Sequence, residues 1–310
     1  MIFLYVIIII FILCILYHYT ALVIQAKKYP PPGELVSVNG HKLHIFGEGK
    51  GSPTIIFDSG HGLPAYTNWS LIQPEISKTS RTCIYDRAGY GWSEGSSKPR
   101  TSAQMVEELH TLLITSGEKA PFILVAHSIS ALNACLFAHT YPSEVAGLVI
   151  VDGGTPQFYK QLNRKPLLRI MRIAKYLSIL GLIRVLGQFR LISSLNLVQQ
   201  HLSREYRKLD KALFYRHFLN DNMLNELISL GESTEQVSAI DTLGDIPLVI
   251  ITSGQNAANI KNWQAGHLSI LELSTDKTHI IAEGIGHSVH LEQPETVIRE
   301  IRKLLDSLSK

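Results

Sequence analysis

Leu124-Val125-Ala126-His127-Ser128-Ile129-Ser130-Ala131 is the stretch on which the fold turns. The apolar run that ends at Ala126 has the character of a buried strand, and the residues from Ile129 to about 140 continue as a helix. Ser128 stands at the join. A strand that turns abruptly into a helix needs small residues on either side of the turn, which is the physical content of the nucleophile-elbow pattern G-x-S-x-G. Here the outer positions are Ala126 and Ser130, both small and neither glycine. Taken alone, the octapeptide also reads as a buried strand followed by a helix with Ser128 as its N-cap.

Outward from this join, strands and helices alternate. Residues 34–38 and 41–46 are short alternating runs joined at Asn39-Gly40, a two-residue hairpin signal. Apolar runs at 54–57, 82–85, 122–126, 148–151, 248–252 and 279–282 have strand character. Helical segments are predicted at about 69–79, 101–117, 129–140, 258–272 and 294–308. An antiparallel start followed by this alternation predicts an α/β protein whose mostly parallel sheet is covered by helices on both faces. The alternation stops after Val151 and resumes at Leu248. The intervening residues 155–240 read as an inserted helical cap, which leaves 34–154 and 241–310 as the core.

Three further segments carry candidate chemistry. Glu283-Gly284-Ile285-Gly286-His287-Ser288-Val289-His290-Leu291-Glu292-Gln293-Pro294 lies between the last strand and the last helix. His287 sits on its glycine-flanked loop; His290 is a rival that lacks the glycine approach. Asp86-Arg87-Ala88-Gly89-Tyr90-Gly91-Trp92-Ser93 and Asp58-Ser59-Gly60-His61-Gly62 each follow a strand. In this order and spacing the four motifs resemble the α/β-hydrolase superfamily, over about residues 34–308. The resemblance implies the α/β-hydrolase fold with Ser128 as nucleophile and His287 as general base. It also implies an oxyanion hole made by the backbone N–H groups of Ile129 and His61. The glycine pair of the 86–93 segment marks a tight turn that shapes the loop beside the site.

The acid of such a triad lies between nucleophile and base in chain order. The strand at 248–252, which the acid commonly follows, is succeeded here by Ser253-Gly254-Gln255-Asn256 with no carboxylate. Asp245 precedes that strand, at the wrong edge of a parallel sheet. Asp152 ends the preceding strand at the correct edge, and is the expected acid. Two other readings remain: Asp152 capping a turn with Gly153-Gly154, and Asn256 orienting the imidazole without charge, at a large cost in turnover.

The apolar share of 45% against 18% charged residues supports a sizeable core and argues against disorder. A net charge of +3 gives no reason to expect nucleic acid. Cys14, Cys83 and Cys135 have no disulfide or metal spacing and read as buried thiols. The thirteen histidines form no metal-binding motif, and no glycine-rich phosphate loop follows a strand, so neither metal nor cofactor is expected.

Residues 2–24 contain no charged side chain and, at 1.5 Å per residue, span roughly 34 Å, enough to cross a hydrocarbon core of about 30 Å. The run is long, lacks a basic n-region, and ends in Ile24-Gln25-Ala26, a poor cleavage site. Residues 1–26 therefore read as a retained single-pass anchor rather than a signal peptide. Lys27 and Lys28 on its C-terminal flank favour a cytoplasmic body, and residues 27–33, with Pro30-Pro31-Pro32, form a stiff spacer. Lys160, Arg164, Lys165, Arg169, Arg172, Lys175, Arg184, Arg190 and Arg204 fill a stretch with no acidic residue before Glu205. Part of it reads as a basic amphipathic helix, with Leu168, Met171, Ile173, Leu177 and Leu180 on its remaining surface. Such a helix can lie in an anionic membrane interface or form the solvated face of a lid. The expected function is hydrolysis of an apolar carboxylic ester through an acyl-enzyme, with a small apolar acyl compound as substrate. The competing expectation is a non-catalytic ligand-binding or scaffold protein on the same fold.

Overall fold

The sheet predicted from the alternation is present in a computed structural model, described for residues 1–188 and 201–308. Its strands are β1 (Glu34–Val38), β2 (His41–Glu48), β3 (Thr54–Asp58), β4 (Thr82–Asp86), β5 (Phe122–His127), β6 (Val145–Val151), β7 (Leu248–Ser253) and β8 (Lys277–Ala282). They lie in the order β1-β2-β4-β3-β5-β6-β7-β8. β2 runs antiparallel to both its neighbours, and the other pairings are parallel. The β1–β2 turn takes Asn39 at φ 49° and Gly40 at φ 91°, as a two-residue hairpin whose central residues both need positive φ should.

Side-chain alternation along the strands builds two cores. Ile56, Leu124, Ala126, Leu148 and Ile150 face one layer, shared with Leu109, Leu132 and Leu227. Ile55, Phe57, Ile123, Val125, Val149 and Val151 face the other, with Trp69, Val297 and Ile301. Burial on both faces explains why these strands read as continuous apolar runs.

Between β6 and β7 the described residues contain helices and no strand. Helix Asp221–Ser238 places Leu227, Leu230 and Val237 in the main core, so this end of the insertion is bound into the body. Residues 189–200 of the predicted cap, with Arg190, lie outside the described residues. Two predicted helices are interrupted. The segment read as 69–79 becomes Ala65–Asn68 and Gln73–Ile76, the second opening with Pro74 in its first turn. The segment read as 258–272 becomes Gly254–Asn259 and Trp263–Leu271, separated by Asn262 in the left-handed region at φ 61°.

Chain reversal places the site. From β3 the chain passes to β4 on one side, then crosses to β5 on the other. The crevice at the carboxyl ends of β3 and β5 is thus a topological switch point, where open α/β sheets form sites.

Candidate active site

Ser128 follows β5 and has φ 59°, a left-handed conformation uncommon for a residue with a Cβ. The turn is held from both sides. Ser128 N–H donates to the Val151 carbonyl at 3.3 Å, and the Ser128 carbonyl accepts from Gly154 N–H at 2.8 Å. The hydroxyl of Ser130, at the elbow position often held by glycine, donates to the His127 carbonyl at 2.7 Å. Close packing shifts its glycine requirement to neighbouring loops. A Cβ on Gly60 would come within 3.1 Å of Ser128 Cβ, and one on Gly153 within 2.6 Å of Ala131 Cβ.

The loop after β8 carries His287 over this turn. Its Nε2 lies 3.0 Å from Ser128 Oγ, and its Nδ1 lies 2.6 Å from Asp152 Oδ2. The sequence-predicted trio is brought together in one line of hydrogen bonds. His290 points away from it. It is fully buried, its Nε2 bonds to Asn68 Oδ1 at 2.8 Å, and burial drives its pKa down to about 3. His127 packs between the two rings, donating from Nε2 to the His287 carbonyl at 3.1 Å. Burial, reinforced by both neighbouring histidines, holds His127 well below the usual imidazole range.

Asp152, buried and at φ 44°, is saturated with donors. Oδ1 accepts from Ser253 N–H at 2.9 Å and Trp263 Nε1–H at 2.7 Å. Oδ2 accepts from Asn256 Nδ2–H at 2.6 Å as well as from His287. Asn256, one reading for the imidazole's partner, therefore donates to the carboxylate; its Nδ2 is 3.2 Å from His287 Nδ1. Asp245 is exposed ahead of β7, remote from the strand's carboxyl end. Neither His61 nor Ile129 uses its backbone N–H in a turn or cap hydrogen bond among the described residues. His61 follows β3 and Ile129 follows Ser128, so both belong to the switch-point crevice.

Comparison with known proteins points to the same fold. The family pattern described as the alpha/beta hydrolase fold matches residues 60–176. An uncharacterized protein of Bacillus subtilis strain 168, YbdG, is 29% identical over 296 residues, covering 92% of this chain and 89% of that one. Among solved structures, an epoxide hydrolase from Bacillus megaterium superposes with a TM-score of 0.67 at 19% identity, over 88% of this chain and all of that one. A thermophilic esterase from Thermogutta terrifontis superposes with a TM-score of 0.64 at 18% identity, over 89% of this chain and 99% of that one. This chain has the α/β-hydrolase fold.

The loop carrying His61 is fixed by a buried ion network that the sequence did not reveal. Asp58, at the end of β3, pairs with Arg87 and accepts from Tyr85 at 2.8 Å. Arg87 also donates to the Ser59 carbonyl at 2.5 Å and to Glu226 Oε1 at 3.0 Å, and Tyr90 donates to Glu226 Oε2 at 2.8 Å. Glu226 belongs to the insertion helix Asp221–Ser238, so the network ties that helix to the loops after β3 and β4. His61 adds a second tie through its Nε2, which is 2.9 Å from the Met223 carbonyl. Burial pushes the Asp58 carboxyl up more than Arg87 lowers it. For Glu226, Arg87 and its other partners outweigh burial and leave its pKa lowered.

The 86–93 segment shapes a loop, as its glycine spacing suggests. Asp86 accepts from Ala65 N–H at 2.9 Å and Trp92 N–H at 3.2 Å, and its Oδ2 lies 2.8 Å from His44 Nδ1. The two residues that sequence reasoning missed beside Asp152 are Trp263 and, as a donor, Asn256. Their signal was an aromatic and an amide placed just after β7, readable only once the acid's position was known. Among the described residues no group of three or more His, Cys, Asp or Glu side chains is arranged to hold a metal ion.

Proposed function

We propose that this α/β-hydrolase is a serine hydrolase that cleaves an apolar carboxylic ester through an acyl-enzyme. One observation carries the reading: a single imidazole sits with its Nε2 3.0 Å from a hydroxyl and its Nδ1 2.6 Å from a buried carboxylate. Neutral His287 takes the proton of Ser128 as Oγ attacks the carbonyl carbon, then returns it to the departing alcohol. Asp152 keeps the proton on Nδ1 and favours the imidazolium that forms. The N–H groups of His61 and Ile129 receive the negative charge on the carbonyl oxygen of the tetrahedral intermediate. A water activated by the same imidazole releases the acid and restores Ser128.

The preference for an apolar acyl group rests on the wall facing the oxyanion loop. Met223 packs with Tyr90 and Leu219, and a Cβ on Gly62 would come within 2.9 Å of its methyl. Residues 2–24 serve as a single-pass anchor, with Lys27 and Lys28 holding the body on the cytoplasmic side. A fluorophosphonate probe tests the enzymatic reading directly. Labelling of the wild type and none of Ser128→Ala supports it. No labelling of either favours the non-catalytic ligand-binding reading.

A further inference from the structure

The N-terminal helix Ile2–Lys28 is long and apolar enough to cross a membrane, and most of it is uncovered. It does not stand clear of the body. Gly181, between helices Arg164–Ile179 and Leu182–Gln188, lies against it so closely that a Cβ would come within 2.3 Å of the Cys14 carbonyl oxygen. Arg184, 2% exposed, donates to His18 Nδ1 at 3.2 Å and to Gln25 Oε1 at 3.0 Å. Gln188 reaches the Tyr17 hydroxyl at 3.2 Å. The body therefore carries a fitted seat for the helix: a glycine where the backbones meet and a buried guanidinium whose Nε and Nη1 bond to the helix's own polar side chains. These are contacts for a helix that stays.

The seat has a geometric consequence. If the helix crosses a hydrocarbon core of about 30 Å from residue 2, that core ends near residue 22, and Cys14 lies about 12 Å inside it. Gly181 rests on Cys14 and is carried to the same depth. The helix joined to Gly181 has the surface that such a position demands. Leu167, Ile170, Ile173, Tyr176 and Ile179 form an exposed row, with Ile170 at 63%, Ile173 at 57% and Tyr176 at 67% exposure. The opposite side of this helix is the one that packs inward, through Leu168 and Met171. Lys165, Arg169 and Arg172 are exposed beside the apolar row. A row of large apolar side chains with a basic border suits an interface of acyl chains and anionic headgroups better than water.

We infer that the N-terminal helix and the helices Arg164–Ile179 and Leu182–Gln188 form one continuous membrane-embedded surface. In it the Leu167–Ile179 row lies among the acyl chains of the leaflet next to the body. This rests on residues 2–24 being retained in the bilayer, which is part of the function proposed above, and is independent of the hydrolytic chemistry. The full chain, reconstituted into vesicles containing anionic lipid, is labelled with an environment-sensitive fluorophore at Ile173→Cys, at Ile8→Cys or at exposed Lys50→Cys. The parent chain, whose three cysteines are buried, sets the background.

Quenching by acyl-brominated lipid at Ile173→Cys and Ile8→Cys, with none at Lys50→Cys, is the expected result. Quenching at Ile8→Cys alone overturns the embedded surface while leaving the anchor in place. No quenching at either site overturns both. An Ile173→Cys label that is shielded from water, unquenched by brominated lipid and cross-linked between chains also overturns it, and assigns the row to a second copy of this protein.

Discussion

The strands on either side of the β5 elbow each end in a buried aspartate, and the two are partnered in opposite ways. Asp58, at the end of β3, has its charge matched by the Arg87 guanidinium, which also bridges to Glu226. Asp152, after β6, receives a backbone N–H, an indole N–H, an amide N–H and the imidazole of His287. The three donors other than His287 are neutral dipoles, so they fix the carboxylate without cancelling its field. The remaining attraction is directed at the imidazole, where an imidazolium would form. At the β3 end the charge is spent on holding together two loops and a helix. In the proposed mechanism, neutral dipoles leave the Asp152 charge for the imidazole, whereas at Asp58 a cation takes it up.

The largest break in this comparison is expected from Asp152→Asn. It keeps the shape and removes the charge, and should lower kcat by roughly ten-thousand-fold, as loss of a triad carboxylate can. Steady-state hydrolysis of a short-chain aryl ester measures it, and retention of more than a tenth of wild-type turnover would assign the acid elsewhere.

Arg87→Met attacks the other strand end. Two carboxylates are left buried without their cation, and unfolding free energy should fall by about 3–5 kcal/mol in a denaturant titration. The double variant Arg87→Met/Glu226→Gln should recover part of that loss, because one uncompensated charge is gone.

Acid tests the buried histidine that follows the last strand. His290 is buried neutral, with its pKa held down at about 3 against 6.5 for a free imidazole. A depressed folded-state value means that its contribution is present above pH 6.5 and is lost as pH falls towards 3. Each pH unit in that window costs about 1.4 kcal/mol, or about 3 kcal/mol by pH 4. His290→Gln should flatten the decline in unfolding free energy between pH 6.5 and 4. An unchanged slope would show that His290 does not control it.

The smallest effect is expected from Asn256→Ala. It removes one of four donors to Asp152 and should reduce kcat by about tenfold, the worth of one hydrogen bond to a charged group. A loss as large as that of Asp152→Asn would instead give Asn256 the orienting role.

Much of the sheet was legible because its signals are local. A strand buried on both faces must be apolar at consecutive positions, and each run bounded by turn residues became a strand. Asp152 could be preferred to Asp245 because parallel strands share one carboxyl edge, but Asn256 stayed open as the imidazole's partner until the structure placed all three. The break at Asn262 was invisible, since nothing in the periodicity of 258–272 announces one residue with positive φ. Glu226 was also out of reach: it is one acid among several on an amphipathic helix, and its partner is 139 positions away. The exposed side of Arg164–Ile179 was not legible for a similar reason. That helix is apolar on two sides, and only the packing of Leu168 and Met171 shows which side faces the core.

By itself the sequence determined the strand runs, the serine at a strand–helix join and the histidine on a glycine loop, because backbone conformation and burial act on neighbours along the chain. The tertiary structure decided which carboxylate meets that imidazole, which one meets a guanidinium, and which glycine receives the N-terminal helix. The Asp152–His287 and Glu226–Arg87 pairs and the contacts of the N-terminal helix join residues more than a hundred positions apart. They depend on strand order and crossover, which no local spacing encodes.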